Sequence, residues 1–373
     1  MTVRLKHLLN RLAGHAPHTV QPFAQLVSPA RGPDDTAAVK GFSGVLATAP
    51  ADTCDYPSTH SLLRQLPVLE TPPNDSCHRP IGGPQTPPRQ LFSMTDAGIA
   101  GGDGVVYCPR RRVAVAETVR VWLQPASTHP LLSAPGFPAA QPLRGITLSL
   151  ASLGAEGFYH FLIESLPRVE LARPWLAQVD QVLAPGRPGS FQEKWLSLAG
   201  IPHEKIIWLD GHSHFRCEQL LFTSPLSYDS EPTPWLVNAI CETVDEPLPP
   251  PGSRHLWISR RDAGVRHLAW EDVLLAQLPT FERVELAGRA PADQIDLMRE
   301  ATVIAGPHGA GLANLIFCPP SAAVVELHPD HDRAVFARLA IAAGCRHAWA
   351  VVNFERPPEN LPRLADAIRT FIA

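Results

Sequence analysis

Residues 301–329 read ATVIAGPHGAGLANLIFCPPSAAVVELHP. Two short apolar runs, Thr302–Ala305 and Ala323–Leu327, have the length and β-branched content of buried strands. Between them lie a glycine-rich turn and an apolar helical segment, 311–317. The pattern continues on both sides. Upstream, Leu256–Ser259 and Arg283–Leu286 read as strands, with helices over 270–278 and 291–300. Downstream come a helix over 332–343 stopped by Gly344, a strand Ala348–Val352, and a last helix Leu361–Ile372. Strict β–α alternation predicts an α/β fold with a parallel sheet covered by helices on both faces.

In such sheets ligands bind beyond the carboxyl ends of the strands. Gly306, Gly309 and Gly311 follow the first apolar run and let the backbone approach a ligand and adopt positive φ. The helix after them offers free N–H groups and its positive dipole end, and His308 adds further donors. That combination suits a diphosphate; its structural alternative is a tight strand-to-helix connection. Glu326 lies inside an otherwise apolar strand end, as an acceptor for ribose hydroxyls or as half of a salt bridge, because a buried carboxylate needs partners. WISRRDAGVRHL (257–268) places Ser259, Arg260, Arg261 and Arg266 at another strand end. Arginine forks match phosphate oxygens, and Arg260 and Arg266 are the better candidates.

The upstream half has a different texture. Forty prolines are spread through the chain, many of them between Pro17 and Pro142. Residues 1–140 therefore read as irregular loops with short strands such as Val105–Tyr107 and Val119–Trp122. From Gly145 strands (146–150, 181–184, 205–209, 219–222) alternate with helices (157–165, 190–199, 232–243). EPLPPPG (246–252) reads as a stiff linker, and the domain boundary falls there, dividing 1–245 from 246–373, or at the helix just before it. The last helix is allowed to pack back on the first domain. On the helix 157–165, His160 and Glu164 are four apart and share a face. A histidine held by a carboxylate makes a general base; the plainer reading is a surface ion pair. Pro167 is expected to end or kink this helix.

Composition bounds the rest. The chain has 373 residues, is 45% hydrophobic and 18% charged, and carries a formal net charge of -4. That balance gives no reason to expect nucleic acid as a partner. Seven cysteines without a CxxC pair argue against a disulfide framework or a zinc ribbon and for reduced thiols. No metal is expected. His212, His214 and Cys217, and His328 with His331 and Asp332, lack full ligand sets at familiar spacing. The basic start, residues 1–15, has no signal-peptide core, but as a short amphipathic helix it would permit peripheral membrane contact. No apolar run is long enough to span a membrane.

GPHGAGLANLIFCPPSAAVVELHP (306–329), with ADQIDLMREATVIA (292–305) before it, resembles the signature of glycosyltransferase family 61. WISRRDAGVRHLAWED (257–272) resembles that family's Ser-Arg…Arg segment, and FYHFLIESLPRVELA (158–172) its N-terminal histidine-containing segment. The resemblance covers about 145–329, and none of it reaches the first 140 residues. It implies a GT-B fold, with two Rossmann-like domains facing across a cleft, 1–245 as the acceptor-side domain and 246–373 as the nucleotide-sugar-binding domain. It also implies inverting transfer from a UDP-sugar, with neither metal nor cofactor, onto a glycan or lipid-linked saccharide. The chain looks like the soluble bacterial branch, working in the cytoplasm or peripherally at the inner face of the membrane on polysaccharide. On this expectation Ser259, Arg260, Arg266, His308, Gly309, Ala310, Gly311, Asn314 and Glu326 bind the donor. His160, or else Glu164, is the base. The alternative of a different class is a nucleotide- or carbohydrate-binding module without turnover. A hydrolase finds no GxSxG turn, and GPHGAG lacks the GxGxxG order of a dehydrogenase.

Overall fold

The computed structural model of the chain describes residues 89–110, 113–122, 124–134, 137–227, 232–244, 252–329 and 335–373, with the backbone of Gln25–Val27 and Phe42–Ala49. The described residues form two compact units that divide between 227 and 232. The helix Pro234–Val244 belongs to the second unit, whereas a boundary at the linker assigns it to the first. It buries Leu236, Val237, Ile240 and Val244, and Cys241 Sγ lies 3.8 Å from the Ile316 carbonyl. The basic start, 1–15, read as permitting membrane contact, lies outside the described residues.

The first unit is built on strands β1 (Gln25–Val27), β2 (Phe42–Ala49), β3 (Arg89–Ala100), β4 (Val105–Cys108), β5 (Val113–Val115), β6 (Gln141–Ser149), β7 (Gln181–Pro185), β8 (Ile206–Leu209) and β9 (His214–Thr223). Their order is β1-β5-β4-β3-β9-β6-β7-β8, with β2 on β3. β9, β6, β7 and β8 run parallel. Only this part has the Rossmann-like character expected of the whole domain. β3, β4 and β5 extend it through antiparallel pairings. β3 is a twelve-residue strand inside the segment expected to be irregular.

Val119–Trp122 is not a strand. A 3-10 turn, Ala116–Thr118, precedes it. Thr118 Oγ1 donates to the Val115 carbonyl (2.8 Å) and accepts from the Val106 N–H (2.9 Å). A side chain, rather than a neighbouring strand, thus satisfies the local backbone. After β6 the chain forms a short helix Phe158–His160, a π-helical turn Phe161–Ser165 and a helix Pro167–Ala172. Pro167 therefore neither ends the helical path nor merely kinks it. The Leu166 N–H reaches back five residues to the Phe161 carbonyl (3.0 Å), and the wide turn accommodates a residue that cannot donate.

The second unit has β10 (Arg254–Ile258), β11 (Phe281–Val284), β12 (Ala301–Pro307), β13 (Ala323–His328) and β14 (Arg346–Val351). All pairings are parallel and the order is β11-β10-β12-β13-β14, the expected parallel α/β sheet. Numbered from its own first strand this is the doubly wound order 2-1-3-4-5. Trp257, Val303, Ala305, Val325, Leu327 and Ala348 form one buried face. The final helix, Leu361–Ile372, lays Leu361, Leu364, Ile368 and Phe371 on that face. Its apolar stripe is thus satisfied within its own unit. Leu256, Ile258, Ile304 and Val324, which alternate with the first set, are buried as well, as a sheet covered on both sides requires.

Candidate functional site

In the 2-1-3-4-5 order the chain leaves β10 toward one side of the sheet and β12 toward the other. The crevice between their carboxyl ends is the place where such sheets bind ligands. The two loops singled out in the sequence start there. One follows β10 and carries Ser259, Arg260 and Arg266. The other follows β12 and carries His308–Gly311.

The three glycines act through close approach. None has a left-handed φ, and Gly309 at φ 169 is extended, so the expected left-handed backbone is corrected to a matter of space. A Cβ at Gly306 would lie 2.5 Å from the Ile258 carbonyl oxygen, and one at Gly311 3.2 Å from Ile258 Cγ2. A Cβ at Gly309 would lie 1.8 Å from Arg260 Nη1 and 2.4 Å from its Cζ. The guanidinium therefore rests on the backbone of Gly309. Its own loop holds it there: Nε donates to the Arg266 carbonyl (3.2 Å) and Nη2 to the Val265 carbonyl (3.0 Å). Burial, then the neighbouring Arg266 charge, push Arg260 below the usual guanidinium range. An anion would relieve both effects. Arg266 is exposed and takes φ 58, an uncommon conformation for a residue with a side chain.

Gly309 also starts the helical turn, which is a 3-10 helix over Ala310–Phe317 with no side chain among the described residues capping its first N–H groups. Inside it Asn314 is fully buried. Its Nδ2 donates to the Gly311 carbonyl (3.2 Å), and its Oδ1 has no hydrogen-bond partner among the described residues.

Glu326 lies opposite Gly306 in the β12–β13 register and is fully buried. His308 Nδ1 donates to Oε1, and His347 Nε2 donates to Oε2 at 3.1 Å. Burial alone would raise the carboxyl, but the two imidazoles outweigh it and hold it at about 2. The neutral imidazole of His308 is favoured, because burial lowers its pKa. An ionised carboxylate between two donors is a satisfied buried network. Both its oxygens already have protein partners, so Glu326 acts on His308. The strand position drew attention in the sequence; His347, nineteen residues beyond His328 on β14, gave no signal.

Ser259 is also committed. Its hydroxyl donates to Glu271 (2.8 and 3.1 Å), and Arg283 Nε (3.0 Å) and Arg261 Nε (3.3 Å) meet the same buried carboxylate. This cluster ties the loop after β10 to the start of the helix Glu271–Leu275. It explains why Arg261, unlike Arg260, is turned to structural work.

In the first unit, His160 is half-buried. Its ring packs on Trp122 at 4.7 Å between centroids and on Tyr159 at 5.3 Å. Glu164 is 1% exposed. Arg120 Nη1 meets both its oxygens at 3.3 Å, and Ser227 donates to Oε1 at 2.7 Å. Neither Arg120 nor Ser227 stood out in the sequence, since each meets Glu164 from a distant part of the chain.

His214 Nδ1 donates to the Pro138 carbonyl (2.5 Å), so its Nε2 accepts from the Tyr107 hydroxyl (2.5 Å). Cys217 is core on β9. His331 and Asp332 lie outside the described residues. Among the described residues, His308, Glu326 and His328 could hold a metal ion, with ligand atoms within 4.8 Å of one another. The five described cysteines are free thiols. No described helix is long and apolar enough to cross a membrane.

The model of the family described as Glycosyltransferase 61 matches residues 158–325. The span includes His160, Glu164, the arginine loop and the glycine loop, so the resemblance read from those segments is borne out. Over 129 residues the chain is 32% identical to the EGF domain-specific O-linked N-acetylglucosamine transferase of Drosophila melanogaster. That alignment covers 32% of this chain and 25% of the fly protein, so the chain spans about a quarter of the length of this curated relative.

Proposed function

We propose that the chain is an inverting glycosyltransferase that moves a sugar from a UDP-sugar to a hydroxyl of a glycan or saccharide precursor without a metal. The observation that carries this reading is the Arg260 guanidinium resting on Gly309 at the crevice of the second unit, beside uncapped N–H groups. That places fixed positive charge where a diphosphate would lie. Arg266 adds a second cation. Glu326 fixes the Nδ1–H tautomer of His308, which contributes as a positioned imidazole at the same loop. Ala310, Gly311 and Asn314 shape the turn, and Ser259 holds the arginine loop in place.

The GT-B assignment enters as a division of labour: the second unit holds the donor and the first supplies acceptor and base. His160 takes the proton of the acceptor hydroxyl. The hydroxyl oxygen bonds to the anomeric carbon from the face opposite the leaving group. The bond from that carbon to the phosphate oxygen breaks, and its electron pair leaves with UDP. Developing charge on UDP is met by Arg260, Arg266 and the N–H groups. Glu164 suits the base role less well, since Arg120 and Ser227 hold it as a buried anion. The reading is tested by incubating the protein with UDP-sugars and following UDP release with and without saccharide acceptors. A module that binds but never turns over releases none.

A further inference from the structure

A general base works only if its nitrogen comes within hydrogen-bond reach of the proton it takes. For His160 the backbone is already fixed. Phe161, Leu162 and Ile163 are fully buried, and the Phe161 N–H donates to the Gly157 carbonyl (2.9 Å). The ring itself is half-buried, so a separate contact has to set its orientation.

Three pieces of chain meet around that ring. Gly154 has φ 77, in the left-handed region that favours glycine, and its carbonyl accepts from the Gly157 N–H (2.9 Å). A Cβ at Gly154 would lie 2.8 Å from Trp122 Cζ2 and 3.3 Å from both Cγ and Cδ2 of His160. One at Gly157 would lie 3.7 Å from the same Cδ2. The Cγ–Cδ2 side of the imidazole is thus the side nearest a floor of bare glycine backbone, and the indole closes over the same point. The two rings are 4.7 Å apart between centroids, tilted by 52°. An imidazolium formed there by proton uptake lies within reach of a cation–π contact.

Trp122 is in turn anchored from its own segment. Arg120, two residues earlier, meets both oxygens of the buried Glu164 at 3.3 Å. Two residues of extended chain and four residues of helix each cover about 6–7 Å. Arg120 on Glu164 and Trp122 on His160 therefore grip the same helical face at two points, four residues apart. The π-helical turn Phe161–Ser165 lies in this interval.

We infer that residues 120–122 are a brace that holds the His160 ring in one orientation, with Arg120 as its anchor and Trp122 as the positioning residue. The inference rests on the reading of His160 as the base for its effect on turnover, while the held ring is independent of that reading.

The test uses full-length protein with 13C-labelled histidine. The ring signal of His160 is identified by its loss in His160→Gln. The indole should shift that signal away from the position of a free histidine; Trp122→Ala should return it there, and Trp122→Phe should keep most of the shift. UDP release from UDP-glucose and UDP-N-acetylglucosamine, with methyl glycosides as acceptors, gives the second readout. Trp122→Ala should lower kcat by about tenfold to a hundredfold, as expected for a displaced base, and leave KM and UDP affinity unchanged. Trp122→Phe should recover most of the loss. In the His160→Gln background Trp122→Ala should cost nothing further. Trp122 is 38% exposed, so the variant should fold; thermal unfolding checks this, and Trp122→Leu, which keeps the apolar bulk, replaces it otherwise. An unmoved ring signal, a loss carried by KM, or a further loss in the His160→Gln background overturns the inference. If His160→Gln turns over normally while the ring signal still follows Trp122, the assignment of the base fails and the brace stands. If neither sugar is turned over, the ring signal alone decides the brace.

Discussion

Replacing Gly309 by alanine tests the central contact of the candidate donor site. Gly309 has φ 169 and ψ 166, extended backbone that alanine adopts without strain. The three atoms nearest the new Cβ all belong to the Arg260 guanidinium, with Nη1 at 1.8 Å and Cζ at 2.4 Å. Ordinary contact is about 3.5 Å, so the guanidinium must move on the order of 1.5 Å. It is the far end of a flexible side chain, so the fold should hardly respond. A cation moved by that distance loses its aligned contact with a phosphate oxygen. A charge-assisted hydrogen bond contributes about 1.5–3 kcal/mol, so UDP affinity should fall by about tenfold to a hundredfold. Arg260→Ala should cost about the same, for the same reason. In the double variant the alanine at 309 has nothing left to displace. The two losses should therefore not add, and the coupling should equal roughly one of them.

The assay is calorimetric titration with UDP, with thermal unfolding as a control. Gly306→Ala provides the contrast. Its Cβ meets the Ile258 carbonyl oxygen at 2.5 Å, which is backbone of β10 and cannot swing away. That variant should lose about 1–3 kcal/mol of stability. Unchanged UDP affinity in Gly309→Ala, or strictly additive losses with Arg260→Ala, would refute the placement of the diphosphate against Arg260.

Three further outcomes follow from the same geometry. Glu326 has its carboxyl at about 2 in the fold against an ordinary value of 4.5, so its share of stability, on the order of 3 kcal/mol, is present above pH 4.5 and is lost as pH falls from there toward 2. Acid unfolding should show that slope, and Glu326→Gln should flatten it and lower stability at neutral pH; an unchanged acid limb rules out the ionised, doubly bonded carboxylate. Turnover should survive EDTA, because arginines and N–H groups carry the leaving-group charge; complete loss restored by manganese would instead make a metal, with the His308, Glu326 and His328 cluster as its candidate, part of the machinery. His160→Ala should leave UDP affinity intact and lower turnover by about two to four orders of magnitude, whereas Glu164→Gln should act first on thermal stability; a larger turnover loss in a folded Glu164→Gln protein reverses the assignment of the base.

The second unit was legible because its signals are local. A strand, a glycine turn and a helix adjoin in sequence, and parallel strands buried on both faces read as plain apolar runs. β3 was not legible. Asp96 interrupts its apolar texture at φ 54, and the carboxylate is held by Arg216 (2.6 Å) and Arg110 (2.9 Å). Those arginines explain an acid in a central strand, but one of them is on β9, 120 residues away. Proline richness around the strand then suggested loops. The π turn was hidden for a related reason: Pro167 predicts an interruption, and only the packed helix shows that one wide turn absorbs it.

At the candidate site the residue types were readable and their duties were not. Glu326 and Ser259 sit at strand ends, where a ligand role is the natural reading. Both prove to be held by protein partners, His308 and His347 in one case and Glu271 in the other. What decides between ligand contact and support is how many hydrogen bonds the fold has already supplied, and those come from residues 12 to 21 positions away. Arg260 and Arg261 show the same rule. They are adjacent and chemically identical, yet Arg261 faces Glu271 and Asp272, while among the described residues Arg260 has only backbone carbonyls of its own loop as acceptors. Carbonyls leave a guanidinium its net charge; carboxylates neutralise it. The arginine that keeps its charge at the crevice is the one fitted to meet a phosphate, and only the positions of the acids reveal which of the two it is.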